Sequence, residues 1–176
     1  MAILFRMCAL SNMLHSTIST LCDTAPVILC IGSDKVTGDC FGPLVGQKLV
    51  ESNIDAFVYG SLDSPITALN LTQSLAFIKL KHPVSRILAI DSALGAKTEV
   101  GRFRVIADGI YPGAATGKKL PKVGDFSLTA TVAGMGNGAN LYSVGLGFVN
   151  RLANTASKAI LECVKTLNSS LIQYIM

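Results

Sequence analysis

Apolar residues along this chain fall into short unbroken runs and helically spaced stripes, and their order predicts strands alternating with helices. Val27–Ile31, VILCI, is rich in β-branched residues and reads as a buried strand. Gly32 ends it. A polar loop, SDKVTGD, then leads to a helical stripe of Leu44, Val45, Leu49 and Val50 that starts near Phe41, with Pro43 suited to the first turn. Ala56–Gly60 predicts a short second strand, and Ser64 and Pro65 read as the cap and first residue of a helix reaching about Lys79. Ile87–Ile90 predicts a third buried strand ending in Asp91, after which SALGAKTEVG reads as a loop. A strand over Arg102–Ala107, an aperiodic stretch from Asp108 to Asp125, a strong strand over Phe126–Ala133 and a long helix from about Leu141 to Leu167 complete the pattern. Residues 1–25 carry apolar positions (Leu10, Leu14 and Ile18 among them) at irregular helical spacing, which predicts an amphipathic helix packed on the domain. Ser, Asn and His interrupt that segment, so neither a membrane span nor a signal peptide is expected.

Composition narrows the class. A chain of 176 residues, half hydrophobic, 15% charged and with 16 glycines, suits a compact α/β sheet covered on both faces. The division is an N-terminal helical segment, 1–25, and a single domain, 26–176. The net charge of +4 is scattered without interleaved aromatics, so no nucleic-acid partner is expected. Five cysteines show neither CxxC nor metal-ligand spacing, which fits reduced thiols in the cytoplasm. Cys40 stands at a helix start, a place that favours a thiolate. The only histidines, His15 and His82, have no local context that makes either its partner base.

The chemistry gathers around two aspartates. A strand–loop–helix presents its loop at the carboxyl end of a parallel strand, where open α/β sheets bind ligands. That loop holds Asp34 and Asp39, although Asp39 equally reads as a helix cap. Asp91, directly after a buried strand, is poorly explained by packing. In a 2-1-3 strand order, Asp39 and Asp91 converge, and two carboxylates that close share a proton, giving an acid and a base in one site. Gly32 and Asp34 are candidate substrate contacts in the same loop, and Asp63 is a further one at the rim, where turn chemistry also accounts for it. The 18-residue stretch from Asp108 to Asp125 is long enough to be a functional cover. Its GAATGKK is one residue short of a phosphate loop and has Lys119 where Ser or Thr would bind magnesium, so no ATP site is expected. Lys118 and Lys119 read as a solvated tip or as substrate contacts. GMGNGAN lacks the dinucleotide spacing. Gly134 and Gly136 are instead candidates for close backbone approach to the cleft, with N–H groups there available to an oxyanion. No cofactor is expected.

GSDKVTGDCFGPLVG, LDSPITALNL, AIDSALG, GIYPGAATGKKLPKVGD and the terminal helix together resemble the sporulation protein YyaC family of spore-forming bacteria, over roughly residues 26–167. More distantly, VTGDCFGP, AIDSAL and GIYPGAATGKK resemble the spore germination protease, an atypical aspartic-type peptidase. Its two functional aspartates correspond, motif by motif, to Asp39 and Asp91. Both families are similar in fold to hydrogenase maturation endopeptidases, which implies a three-layer α/β/α sandwich with a mostly parallel sheet. Those enzymes use two carboxylates and a histidine around nickel, and here no histidine follows His82, so no metal is expected. The resemblance implies a sporulation-associated, peptidase-like protein of the mother-cell or forespore cytoplasm acting on a peptide or protein. A non-catalytic regulatory module on the same fold is the alternative, and a homo-oligomer is compatible with either.

Overall fold

In the computed structural model, which describes residues 2–22, 25–113, 120–135 and 141–175, five strands form one sheet. They are β1 (Val27–Cys30), β2 (Val58–Tyr59), β3 (Ile87–Gly95), β4 (Phe103–Ile106) and β5 (Phe126–Gly134), and the helices are α1 (Ala2–Leu21), α2 (Phe41–Glu51), α3 (Leu71–Lys81) and α4 (Leu146–Ile175). The spatial order is β2-β1-β3-β5-β4. Pairing is parallel from β2 through β5, and β4 alone runs antiparallel, on the β5 edge.

The chain leaves β1 through α2 to reach β2, then returns through α3 to reach β3 on the far side of β1. Right-handed crossovers run in opposite directions put their helices on opposite faces. That is the distribution found. Phe41, Val45 and Leu49 of α2 pack with Ile28 and Cys30, whereas Leu71 and Ile78 of α3 pack with Val27 and Leu29. The result is an α/β fold with helices on both sides of a mostly parallel sheet.

The two faces are covered unequally. On the first, α1 and α4 join α2. Leu10, Leu14 and Ile18 of α1 meet the α4 stripe of Val149, Ala153, Ala156, Ile160 and Val164 above Leu88, Phe126 and Leu128. Spacings of three and four residues keep each stripe on one side of its helix, and each large apolar side chain so buried contributes roughly 1.5–3 kcal/mol. On the second face, α3 covers only the β1 side. Over β3 and β5 lie the two described ends of the excursion between β4 and β5, fastened by paired N–H···O bonds between Ile110 and Val123 of 2.9 and 2.8 Å. Lys122 Nζ bonds Asp108 at 2.6 Å and the Ser127 hydroxyl donates to the Asp108 carbonyl at 3.0 Å. The Lys122 ammonium, with the Gly109 N–H, holds the Asp108 carboxyl below the usual range.

Four boundaries differ from those predicted. β3 continues to Gly95 because Asp91–Gly95 stay paired with β5, across a register shift between Ala93 and Leu94. Ser92–Gly95, the first part of the segment read as a loop after Asp91, is thus strand, and the rest is loop with a 3-10 turn over Lys97–Glu99. α3 begins at Leu71, not Ser64, because Ile66 is drawn out as an extended partner of Ile31, with the Gly32 N–H donating to its carbonyl at 2.9 Å. The Asn70 side chain then accepts the Thr67 N–H at 2.8 Å, holding a turn rather than a helix. α4 begins at Leu146, after a 3-10 turn over Leu141–Ser143, and runs past Leu167. β2 shrinks to two residues.

Candidate active site

Asp39 ends a 3-10 turn, Thr37–Asp39, that closes the loop after β1. Closure depends on Gly32. Its φ is +144°, and a Cβ there would run into the Asp39 carbonyl, which accepts the Ser33 N–H at 3.2 Å. The loop's two ends therefore lie backbone to backbone, and Asp39 is held over the end of β1. The residue capping α2 is Cys40, whose side chain makes no capping bond to the helix. Asp39 is thus not the helix cap that its position also suggested.

Asp91 lies where β1 stops and β3 goes on. The last bond between them is from the Ile31 N–H to the Ile90 carbonyl, 2.8 Å. Alternation turns the Ser92 N–H to the same side, where β1 has left, and a buried N–H needs an acceptor. Asp91 Oδ1 supplies one, accepting it at 2.8 Å. Alternation also places the Asp91 side chain on the face of Ile87 and Ala89, the less covered one. It is only 8% exposed.

The carboxylates face a common space. A cleft of about 490 Å³ is lined by Asp39 and Asp91 with Gly32, Asp34, Thr67 and Leu120, among others. A second, of about 330 Å³, is lined by the same two aspartates with Leu94, Ile110, Tyr111 and Met135 among its walls. Gly113 also belongs to both, so the aspartates stand at the junction of two adjoining clefts. Burial holds the Asp91 carboxyl well above the ordinary range, and the charge of Asp39 pushes it further, against the Ser92 N–H. Burial raises Asp39 as well, opposed by the Ser33 N–H and the Ser92 side chain. A pair of this kind favours one shared proton over two charges.

Not every candidate joins them. Gly32 and Asp34 line the larger cleft. Asp63 is exposed, bonded to Gln47 Nε2 at 3.3 Å, and lines neither cleft. Gly134 pairs with Gly95 at the end of the sheet, its Cα against the Lys97 side chain, and also lies outside both clefts. Lys118, Lys119 and Gly136 fall outside the described residues. The base of the long excursion does reach the site, through Pro112, Gly113 and Leu120. Cys40 departs from expectation: its Sγ donates to the Thr37 carbonyl at 3.1 Å, and burial, with Asp39 and Asp34 alongside, raises the thiol instead of favouring a thiolate. His82 is occupied with the Tyr59 hydroxyl, 2.8 Å away beside β2. Among the described residues no three His, Cys, Asp or Glu side chains group as metal ligands, and no helix is long and apolar enough to cross a membrane.

Reading the sequence missed Ser92, Tyr111, Met135 and Leu141 as lining residues. Ser92 was adjacent to a chosen aspartate. The other three lie on separate segments that only the folded sheet brings together.

Comparison with known proteins fits this architecture. The solved structure of the NiFe hydrogenase maturation protease HycI from Thermococcus kodakarensis KOD1 is similar, with a TM-score of 0.50 and 18% identity, over 81% of this chain and 93% of that one. At that identity the likeness concerns the fold alone. The "Uncharacterized protein YyaC" of Bacillus subtilis (strain 168) is 32% identical over 154 residues, spanning 86% of this chain and 75% of that protein. A family model described as "Protein of unknown function (DUF1256)" matches residues 6–159. With the match covering most of the chain, this protein belongs to the DUF1256 family.

Proposed function

We propose that the protein is a sporulation-associated peptidase in which Asp39 and Asp91 act as a pair on an amide bond of a peptide or protein. The observation that carries this reading is the junction of the two clefts, which both aspartates line and where burial and mutual repulsion favour a single shared proton. Asp91, the more buried, keeps the proton, and Asp39, with donors from Ser33 and Ser92, is the base. Asp39 takes a proton from water as the water oxygen bonds to the carbonyl carbon. Asp91 gives its proton to the amide nitrogen as the C–N bond breaks, leaving a carboxylic acid and an amine. A proton passing from Asp39 to Asp91 restores the pair. The resemblance to the germination protease supports the same two residues, and the peptidase-like fold supports the substrate class.

The test is incubation of the purified protein with unfolded proteins and a peptide mixture, with products read by mass spectrometry. The expected result is cleavage that Asp39→Asn and Asp91→Asn each reduce by about 10²–10⁴-fold while the circular dichroism spectrum is unchanged. Because both carboxyls are raised, the acid limb of the pH–rate profile is expected above the ordinary aspartate value of 3.8. Full activity in either variant removes the pair from the mechanism. Peptide binding without turnover favours the regulatory module.

A further inference from the structure

We propose that the smaller of the two clefts is a specificity subsite that takes one apolar side chain of the bound peptide, an inference resting on the amide-hydrolysis reading above. Its walls are Leu94 from β3, Ile110 and Tyr111 from the base of the excursion, Met135 after β5, and Leu141 from the 3-10 turn before α4. Among the described residues and apart from the aspartates, the polar groups of its lining side chains are the hydroxyls of Ser92, Thr129 and Tyr111. With Ala93 beside Leu94, six largely apolar side chains from four segments of the chain meet there. Tyr111 and Met135 are each 65% exposed, so large apolar surface stands open at the rim.

The position of this cleft ties it to the reacting bond. It shares Asp39 and Asp91 with the larger cleft, so a group seated in it is held next to the amide the aspartates would attack. The volume of about 330 Å³ is at the low end for ligand pockets, about 300–1,000 Å³, and suits a side chain rather than a folded surface. Leu141 is itself fixed, since a Cβ on Gly38 in the turn carrying Asp39 would collide with it. The wall and the base are therefore positioned by one contact. An acidic side chain entering this space would lose hydration and meet the carboxylate pair, and a basic one would exchange its hydration for the single charge that the pair carries, whereas an apolar one meets matching walls. The larger cleft contrasts with it. There Ser33, Asp34, Lys35, Thr67 and Asn70 are interspersed with apolar Ile31, Leu69 and Leu120, and the apolar side chains are not gathered into one wall of the kind the smaller cleft has.

Two measurements separate this proposal from the peptidase reading. In the first, capped peptides with Leu, Phe, Ser, Glu or Lys at one central position in an Ala/Gly background are mixed with the wild-type protein and followed by mass spectrometry. Leu- and Phe-centred peptides are expected to be consumed at least about tenfold faster than the Ser-centred one. Met135→Arg, at an exposed wall, is expected to shift the preference toward Glu. In the second, Asp91→Asn protein is titrated with N-acetyl-leucine amide and N-acetyl-serine amide, and the Met135 methyl signal is followed by NMR. The leucine compound is expected to move it and the serine compound not to. A methyl shift selective for leucine, with no peptide cleaved, keeps the subsite and removes the hydrolysis. Cleavage indifferent to the central residue, with Met135→Arg indistinguishable from wild type, overturns the subsite and leaves the peptidase reading standing.

Discussion

One face of the sheet lies under α1, α2 and α4, and its core runs without interruption from Leu10 to Leu167. The other has α3 over β1 and a hydrogen-bonded excursion over β3 and β5, with a core of nine buried residues among those described. Both begin from the same strands, whose alternate residues point to opposite sides. The difference lies in the segments that connect the strands. Helices fill one side densely, and a short helix with an irregular segment leaves clefts on the other, where Asp91 sits. The packed face supplies most of the core, and the incomplete one leaves room for groups that packing alone would reject.

The sharpest way to break this contrast is a core deletion. Phe126, fully buried on the helical face, is expected to cost about 3–5 kcal/mol when replaced by Ala, read as a lowered urea midpoint. A loss below about 1 kcal/mol would mean that this face is not the stabilising one. Next in size is Gly32→Ala at the loop closure. The positive φ and the clash with the Asp39 carbonyl predict a loss of about 1–3 kcal/mol together with loss of any activity, because Asp39 must move. A crystal structure of that variant with an unmoved turn would contradict it.

The smallest expected effect has the opposite sign. Asp91 is raised well above 3.8 in the folded protein, so the folded state holds its proton more tightly than the unfolded state does. Its contribution to stability is fully present below the unfolded value and is lost as pH rises through the raised one. Asp91→Asn removes that loss, and the thermal midpoint at neutral pH is expected to rise, by about 2–4 °C for each kcal/mol recovered. The difference should vanish near pH 3, where both proteins are neutral at this position. A variant less stable at pH 7 would make Asp91 a structural residue and erase the contrast between the faces.

Much of this was legible in the chain. The runs at Val27–Ile31 and Ile87–Ile90 are buried strands because nothing but apolar side chains suits a sheet covered on both sides. The 2-1-3 order, common where strand and helix alternate, is the one found, and with it Asp39 and Asp91 line the same clefts. The end of β3 was not legible. SALG has no strand signal of its own, and only the neighbouring β5 keeps it extended. The start of α3 failed for a related reason: Ser64 and Pro65 form a good local cap, but the backbone of Ile66 bonds to β1 instead. Cys40 misled because a helix start favours a thiolate only where solvent or a cation helps, and here two aspartates and burial oppose it. The walls of the smaller cleft are invisible to any local pattern, since Leu94, Tyr111 and Leu141 are far apart in the chain.

The packing of α1 against α4 sets a timetable for synthesis. Leu10, Leu14 and Ile18 share their core with Val149 and the residues after it, besides the contact of α1 with β4, so the first helix cannot complete its docking until nearly the whole chain has left the ribosome. At bacterial rates of about 5–20 residues per second, that wait is on the order of ten seconds. Throughout it the helix carries an uncovered apolar stripe, and the sheet lacks part of its cover. The growing chain is thus exposed to aggregation for longest at its oldest end, where a nascent-chain chaperone would have its most extended opportunity to bind.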